Sequence, residues 1–260
     1  FADPIGFAAF NRRMRDALLK AAAFQWAKVS PAVFGSLFQG VMDDAERRQQ
    51  GAHYTSERDI AKVIRSLFLD DLRAEFDAAR SDRSTGRRKR LTDLQVKLRA
   101  LRFLDPACGC GNFLVITYRE LRALEHEILR ELSRDGQQVT DIREFIKVDV
   151  DQFYGVDILE WPVRIAEIAL WLMDHQMNQA ASVEFGQSFE RLPLTSSPTI
   201  VHGNALRQDW NTIIPASQCS YVLGNPPFVG KKEQTDAQKD DLQLIWGDGA
   251  GVLDYVCSWY

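Results

Sequence analysis

Apolar positions recur at helical spacing through the first third of the chain, then give way to short unbroken apolar runs that alternate with further helical stretches. From Pro4 to Val29 the spacing predicts a helix, and Ser30-Pro31 is a cap and first-turn pair for a second, "SPAVFGSLFQGVMDDAERR". Ser56, with Asp59 three residues on, resembles a capping box opening a third helix, whose apolar stripe is Ile60, Val63, Ile64, Leu67 and Phe68. Next, "LRFLDPACGCGNFLVITYRELRALEHEIL" reads as a buried strand ending at Asp105, a glycine-rich turn and a long helix. "FYGVDILEWPVRIAEIALWLMDHQMN" repeats that plan, with a strand to Asp157 and a helix carrying Pro162 in its first turn and Trp161, Ile165, Ile168, Ala169 and Leu172 on one face. "TIVHGNAL" and "SYVLGNPPF" are two more strands, and "GVLDYVCSWY" reads as the start of the helix after the fourth. Strands alternating with helices imply a parallel sheet with right-handed crossovers and ligands beyond its carboxyl ends. The polar strand ends Asp105, Asp157, Asn204 and Asn225 are therefore expected along one rim.

Composition narrows the picture. The chain has 260 residues, 45% hydrophobic and 26% charged, which is ordinary globular material with enough length for a real core. There is no basic n-region followed by a signal-type apolar stretch and no apolar run of membrane-spanning length, so an intracellular protein without a membrane partner is expected. Cys108, Cys110, Cys219 and Cys257 do not make a disulfide framework, and the C-x-C pair lacks zinc-site spacing, so no metal is expected. The net charge of -4 is uneven: Arg80 to Arg102 holds nine basic and two acidic residues, +7, leaving -11 elsewhere. Such a stretch can face phosphates or be a solvated surface around Gly86.

The candidate chemistry lies at the strand ends. In "DPACGCGNF", Ala107, Gly109 and Gly111 let the backbone pass close to a ligand, and the following helix offers its partially positive N-terminus. Asp157 fits a carboxylate accepting from both hydroxyls of a ribose. Together these indicate an adenosine-type cofactor, which an NAD enzyme would share. "GNPPF" is more unusual, because two prolines directly after a strand forfeit two backbone donors and fix the chain direction.

The ordered set "GAHYT", "FLDPACGCGNFL", "YGVDI", "HGNAL" and "GNPPF" resembles the amino-methylating DNA methyltransferases of the gamma class. "GAHYTSERDI", "LDPACGCGNFL" and "ALWLMDHQMN" look like the methyltransferase part of single-chain type II restriction-modification enzymes of the MmeI kind, over about residues 30 to 260. The resemblance implies an α/β, Rossmann-like class I methyltransferase fold that uses S-adenosylmethionine, truncated and preceded by a helical segment. Residues 1–50 would be a helical spacer and 51–260 a catalytic domain incomplete at its C-terminus. It places Tyr54 and Thr55 at the methionine end of the cofactor and Asp105, Pro106, Ala107, Gly109, Gly111, Asn112 and Phe113 around the glycine turn. Asp157 would hold the ribose, with Ile158, Asn204 and Ala205 at the adenine. Many relatives carry Asp where Asn204 stands.

The same resemblance makes Asn225, Pro226, Pro227 and Phe228 catalytic. An aromatic amine is a poor nucleophile because its lone pair is delocalised. If the Asn225 side-chain carbonyl and the Pro226 main-chain carbonyl accept its two hydrogens, the lone pair is turned toward the methyl group. Phe228 would stack on a base flipped out of double-stranded DNA. The implied activity is adenine-specific methylation in the cytoplasm of a prokaryotic cell, with target-recognition and nuclease domains in the full-length chain. A glutamine-amide or RNA methyltransferase and a noncatalytic DNA-binding remnant are the alternatives. An NAD-dependent dehydrogenase would explain the glycines and Asp157 but not "GNPPF".

Overall fold

The structure, a computed structural model, describes residues 11–23, 29, 33, 55–135, 142–186 and 197–259. The second expected helix, Val33 apart, and His53 and Tyr54 lie outside the described residues. The chain divides into two units, Phe1–Ser30 and Pro31–Tyr260. In the first, helix α1 (Arg12–Ala22) starts at Asn11, whose side chain accepts from the Met14 N–H at 2.9 Å.

The second unit opens with α2 (Glu57–Ile64), a π-helical turn (Arg65–Leu69) and α3 (Asp70–Ser81) in one continuous run. Ser56 caps it as expected, its Oγ accepting from the Asp59 N–H at 3.2 Å and donating to that carboxylate at 2.7 Å. Ile60, Ile64 and Phe68 are buried, but Val63 and Leu67 are exposed. Val63 lies outside the buried face of α2; for Leu67 the π turn supplies the reason, since its extra residue per turn brings Leu69 inward and the buried face continues through Leu72 and Phe76.

Helix α4 (Arg87–Ala100) leads into β1 (Phe103–Asp105), followed by α5 (Asn112–Arg134), α6 (Ile142–Phe145), β2 (Phe153–Asp157), α7 (Glu160–Phe185), β3 (Thr199–His202), β4 (Tyr221–Val222) and α8 (Asp236–Trp246). The four strands are parallel in the order β3-β2-β1-β4, with Phe103 opposite both Phe153 and Tyr221. Phe68, Phe103, Phe153 and Tyr221 form a continuous aromatic cluster, with neighbouring centroids 4.9 to 5.7 Å apart.

Two expectations about helices are corrected. Helix α7 packs through Val163, Ala166, Ala169, Leu170 and Met173, while Trp161 and Ile168 face outward, because a long helix rich in apolar residues on all sides does not announce which face meets the sheet. After β4 the α-helix is α8. Gly247–Val252 and Tyr255–Trp259 are 3₁₀ turns, where three glycines within five residues weaken an α-helix.

A buried polar network fixes α5 against α7. The Arg122 guanidinium donates to the Tyr118 hydroxyl at 2.6 Å, Asp174 at 3.1 Å and the Asn178 side-chain carbonyl at 2.9 Å. Glu125 lies 3.7 Å from Arg122 and accepts from the backbone N–H groups of Lys147 and Val148, fastening the segment that leads into β2. Removing one member would strand the others without water, so the network holds the two helices in one register.

Most of the basic stretch is spent internally. Arg80 pairs with Asp77, Arg87 with Glu131 and Asp135, Lys89 with Asp93, Arg90 with Asp82, Lys97 with Glu75 and Arg99 with Asp151. Arg102 donates to the backbone carbonyls of Arg99 and Leu101. Arg99 and Arg102 sit at the amino ends of β2 and β1, and Arg87 at the last turn of α5, opposite the polar strand ends. These paired members of the stretch therefore lie away from the carboxyl rim.

Candidate active site

Strand order converts chain order into a line. Along the carboxyl rim stand Asn204 after β3, Asp157 at the end of β2, Asp105 at the end of β1 and Asn225 after β4. Three inter-strand spacings of about 4.8 Å make a row roughly 14 Å long. Because β1 has β2 on one side and β4 on the other, the sheet's topological switch falls beside Asp105, where an open α/β sheet leaves a crevice.

The glycine turn is built by contacts that need glycine. Gly109 and Gly111 have φ of 53° and 80°, and a Cβ on Gly111 would lie 2.9 Å from the Cβ of Ala166 in α7. Nothing lies within 4 Å of a Cβ built on Gly109, so that position opens to the rim. The Gly109 N–H donates to Asp157 Oδ2 at 2.9 Å and the Leu159 N–H to Asp157 Oδ1 at 2.9 Å. Each carboxylate oxygen keeps acceptor capacity after its backbone bond, so Asp157 can also receive two hydroxyls. It therefore orders the turn before α7 as well as offering the expected acceptors. Ile158, beside it, is 57% exposed and offers a flat apolar surface.

Asp105 is 1% exposed and accepts from the Ala107 N–H at 3.1 Å. Burial raises its pKa to about 8, opposed by that hydrogen bond and reinforced by the negative charge of Asp157. The Leu223 N–H donates to the Leu104 carbonyl at 2.9 Å, which sets Gly224 against Asp105. Any Cβ on Gly224 would collide with the Asp105 carboxylate, so the start of "GNPPF" needs glycine to lie against the end of β1. Burial and the nearby carboxylates push the Cys108 thiol up, and burial followed by Asp157 pushes Cys110 up to about 12. Neither thiol is a thiolate at neutral pH.

At the Asn225-Pro226-Pro227-Phe228 corner, Asn225 Nδ2 donates to Thr55 Oγ1 at 3.1 Å, across 170 positions of sequence. Phe228 is 57% exposed beside it. Pro106 is buried and its carbonyl accepts from the Trp259 indole at 3.4 Å. Phe113 turns its ring into the core and Ala205 is buried, whereas Asn112 is half-buried at the start of α5.

Asn204 is tied on both sides. Its Oδ1 accepts from the Leu206 N–H at 2.9 Å and its Nδ2 donates to Asp241 at 2.9 Å. Asp241, buried in α8, also accepts from Arg207 at 2.6 Å and the Tyr255 hydroxyl at 2.8 Å. The sequence reading missed this clamp, since Asp241 sits in an ordinary polar run, "KDDLQ". It also missed the Thr55–Asn225 bond, because nothing in either local pattern names the other residue.

A family model for the MmeI DNA-methyltransferase domain matches residues 81–260. DNA methyltransferase A of Bacillus subtilis (strain 168) is 35% identical over 266 residues, covering 100% of this chain and 29% of its own length. A putative type II restriction enzyme and methyltransferase of Methanocaldococcus jannaschii is 34% identical over 76 residues, 29% of this chain and 6% of that protein. The solved structure of the type IIL restriction-modification enzyme MmeI in complex with DNA matches with a TM-score of 0.92 and 53% identity, over 100% of this chain and 34% of the other. The chain thus spans 29% and 34% of the lengths of the two relatives that cover it fully.

Proposed function

The chain belongs to the MmeI DNA-methyltransferase domain family, and from that premise we propose that it transfers the methyl group of S-adenosylmethionine to the exocyclic amine of a flipped adenine in double-stranded DNA. Residues 51–260 would form the catalytic domain of a restriction-modification enzyme, behind a helical spacer of residues 1–50. The observation that carries this reading is the apposition of two motifs on adjacent strands: Gly224 lies against Asp105, so the acceptor corner begins where the glycine turn begins.

The residues fit the cofactor. Gly109 leaves open space, Asp157 keeps acceptor capacity on both oxygens, and Ile158 exposes an apolar surface next to it. Asn204 uses a neutral carbonyl already shared with Leu206, and Asp241 holds the amide so that this carbonyl faces away from α8. When bound, S-adenosylmethionine supplies an electrophilic sulfonium methyl, so the reaction needs no strong general base. The chain's part is positioning. Asn225 Oδ1 and the Pro226 carbonyl accept from the target amine, and the two prolines hold those acceptors without the conformational freedom that an ordinary loop would lose. Phe228 provides the stacking face for the extrahelical base, offsetting the few kcal/mol that unstacking costs.

The test is to incubate the full-length protein with unmodified duplex DNA and methyl-labelled S-adenosylmethionine, digest to nucleosides and identify the labelled one by mass. Label in N6-methyladenine is the expected result. Label in cytosine, or only in protein or RNA, overturns the assignment.

A further inference from the structure

We infer that Thr55 is a positioning residue for Asn225: its hydroxyl takes the donor end of the side-chain amide and thereby points the acceptor end at the target amine. The inference rests on the reading of the corner as an amine acceptor and adds a residue that acts through it.

A primary amide carries an acceptor and a two-hydrogen donor group on opposite sides of one carbon. Its terminal torsion is broad and nearly two-fold, so an exposed Asn samples both orientations unless a neighbour selects one. Asn225 is exposed on a strand end, and the prolines that follow fix its backbone but not that torsion. The wrong orientation would set the amide's N–H groups against the hydrogens of the target amine, donor facing donor. Only the orientation with Oδ1 toward the substrate offers an acceptor.

The structure supplies a selector. Asn225 Nδ2 lies 3.1 Å from Thr55 Oγ1, with the nitrogen donating. Spending Nδ2 on that bond turns Oδ1 to the far side, and because a hydroxyl can donate as well as accept, Thr55 holds that orientation while its own proton is directed to another acceptor. Thr55 is well suited to the task, because a β-branched side chain has restricted χ1 freedom and holds its hydroxyl in place. Its backbone is anchored too, since Ser56, the next residue, caps α2, and Ile60 and Ile64 bury that helix in the core. The acceptor that serves the chemistry is therefore referenced to a rigid helix from a distant part of the chain.

A double-mutant cycle on the full-length enzyme tests this. Single-turnover methyl transfer to unmodified duplex DNA is measured at saturating S-adenosylmethionine for wild type, Thr55→Val, Asn225→Ala and the double variant, with cofactor affinity followed by calorimetry. Thr55→Val is isosteric and removes only the hydroxyl. It is expected to slow transfer roughly ten- to a hundredfold, as misplacement of an acceptor does. In the Asn225→Ala background the same change is expected to have no further effect, and Thr55→Ser, which keeps the hydroxyl without the β-branch, is expected to recover most but not all of the lost rate. Equal slowing in both backgrounds, or slowing that tracks lost cofactor affinity, would show that Thr55 acts independently of Asn225 and would overturn the inference. So would wild-type transfer by Thr55→Val. A wild-type enzyme that methylates DNA while Asn225→Ala is undiminished overturns the catalytic reading of the corner itself. A wild-type enzyme that does not methylate DNA overturns the proposed function.

Discussion

Two glycines in one turn are expected to fail in opposite ways when each is replaced by alanine. Gly111 has a φ of 80°, and its Cβ would lie 2.9 Å from the Cβ and 3.2 Å from the Cα of Ala166, a backbone atom that cannot rotate away. A left-handed non-glycine residue costs about 1–2 kcal/mol, and forcing a methyl into a closed contact adds about 1–3 kcal/mol. The total of roughly 2–5 kcal/mol corresponds to a fall in Tm on the order of 10 °C for a unit of this size. Gly109 has a φ of 53° but nothing within 4 Å of its Cβ, so Gly109→Ala carries only the conformational penalty of about 1–2 kcal/mol. The methyl would instead fill space left for a ligand, and S-adenosylmethionine affinity is expected to fall by about tenfold or more, as when a close contact is overfilled. Thermal denaturation by circular dichroism and calorimetric titration of both variants provide the assay. A Gly111→Ala protein melting within error of wild type would refute the packing argument. Wild-type cofactor affinity in Gly109→Ala would refute the claim that the turn lies against a ligand.

The remaining predictions concern the carboxylates and the corner. Asn225→Ala is expected to lower turnover by roughly two to four powers of ten with cofactor affinity little changed, since it removes a group realised mainly as the amine attacks; near-normal methylation of DNA would make the corner structural. Asp157→Ala removes both hydroxyl acceptors and the ties to Gly109 and Leu159, and equilibrium dialysis is expected to show cofactor affinity down by about a hundredfold or more, at about 1.5–3 kcal/mol per charge-assisted bond. Asp105 titrates near 8 when folded against 3.8 for an ordinary Asp, so between those values the folded chain keeps a proton that the unfolded chain has lost. Its contribution to stability therefore falls as pH rises through that window. Urea midpoints from pH 5 to 9 should decline less for Asp105→Asn than for wild type, and parallel curves would show that Asp105 is ionised in the fold.

The parts of this protein legible in the sequence are those set by local chemistry. Four short strands, each closed by Asp or Asn, follow from apolar runs meeting turn residues, and the Ser56 cap follows from side-chain spacing. The rim follows from parallel topology. What the pattern did not disclose depends on partners far away in the chain. Helix α7 has apolar residues all round, so the choice of Val163 and Ala166 over Trp161 and Ile168 is made by the sheet and by Gly111, which meets the small Ala166. The π turn at Arg65–Leu69 is invisible to a 3.6-residue period because it departs from it. The partners of the basic stretch were hidden for a related reason, since charge counted along a segment does not show Glu75, Glu131, Asp135 and Asp151, which pair with it from other elements.

The rim combines fixed polar groups with uncovered apolar ones, and that combination bears on how binding energy would be used. Asp157, Asn204 and Asn225 are each held by hydrogen bonds from or to distant residues, so little side-chain freedom remains to be lost when a ligand arrives. Ile158 and Phe228, one near each end of the row, are each 57% exposed and forgo part of the roughly 1.5–3 kcal/mol that full burial of such a side chain contributes. Folding leaves that stabilisation unrealised. A flat apolar ligand face covering either surface would recover it as binding free energy, with the polar groups beside them already ordered. The cost in stability and the capacity to bind thus arise from the same two exposed side chains, and the hydrogen-bonded acceptors beside them determine what that binding aligns.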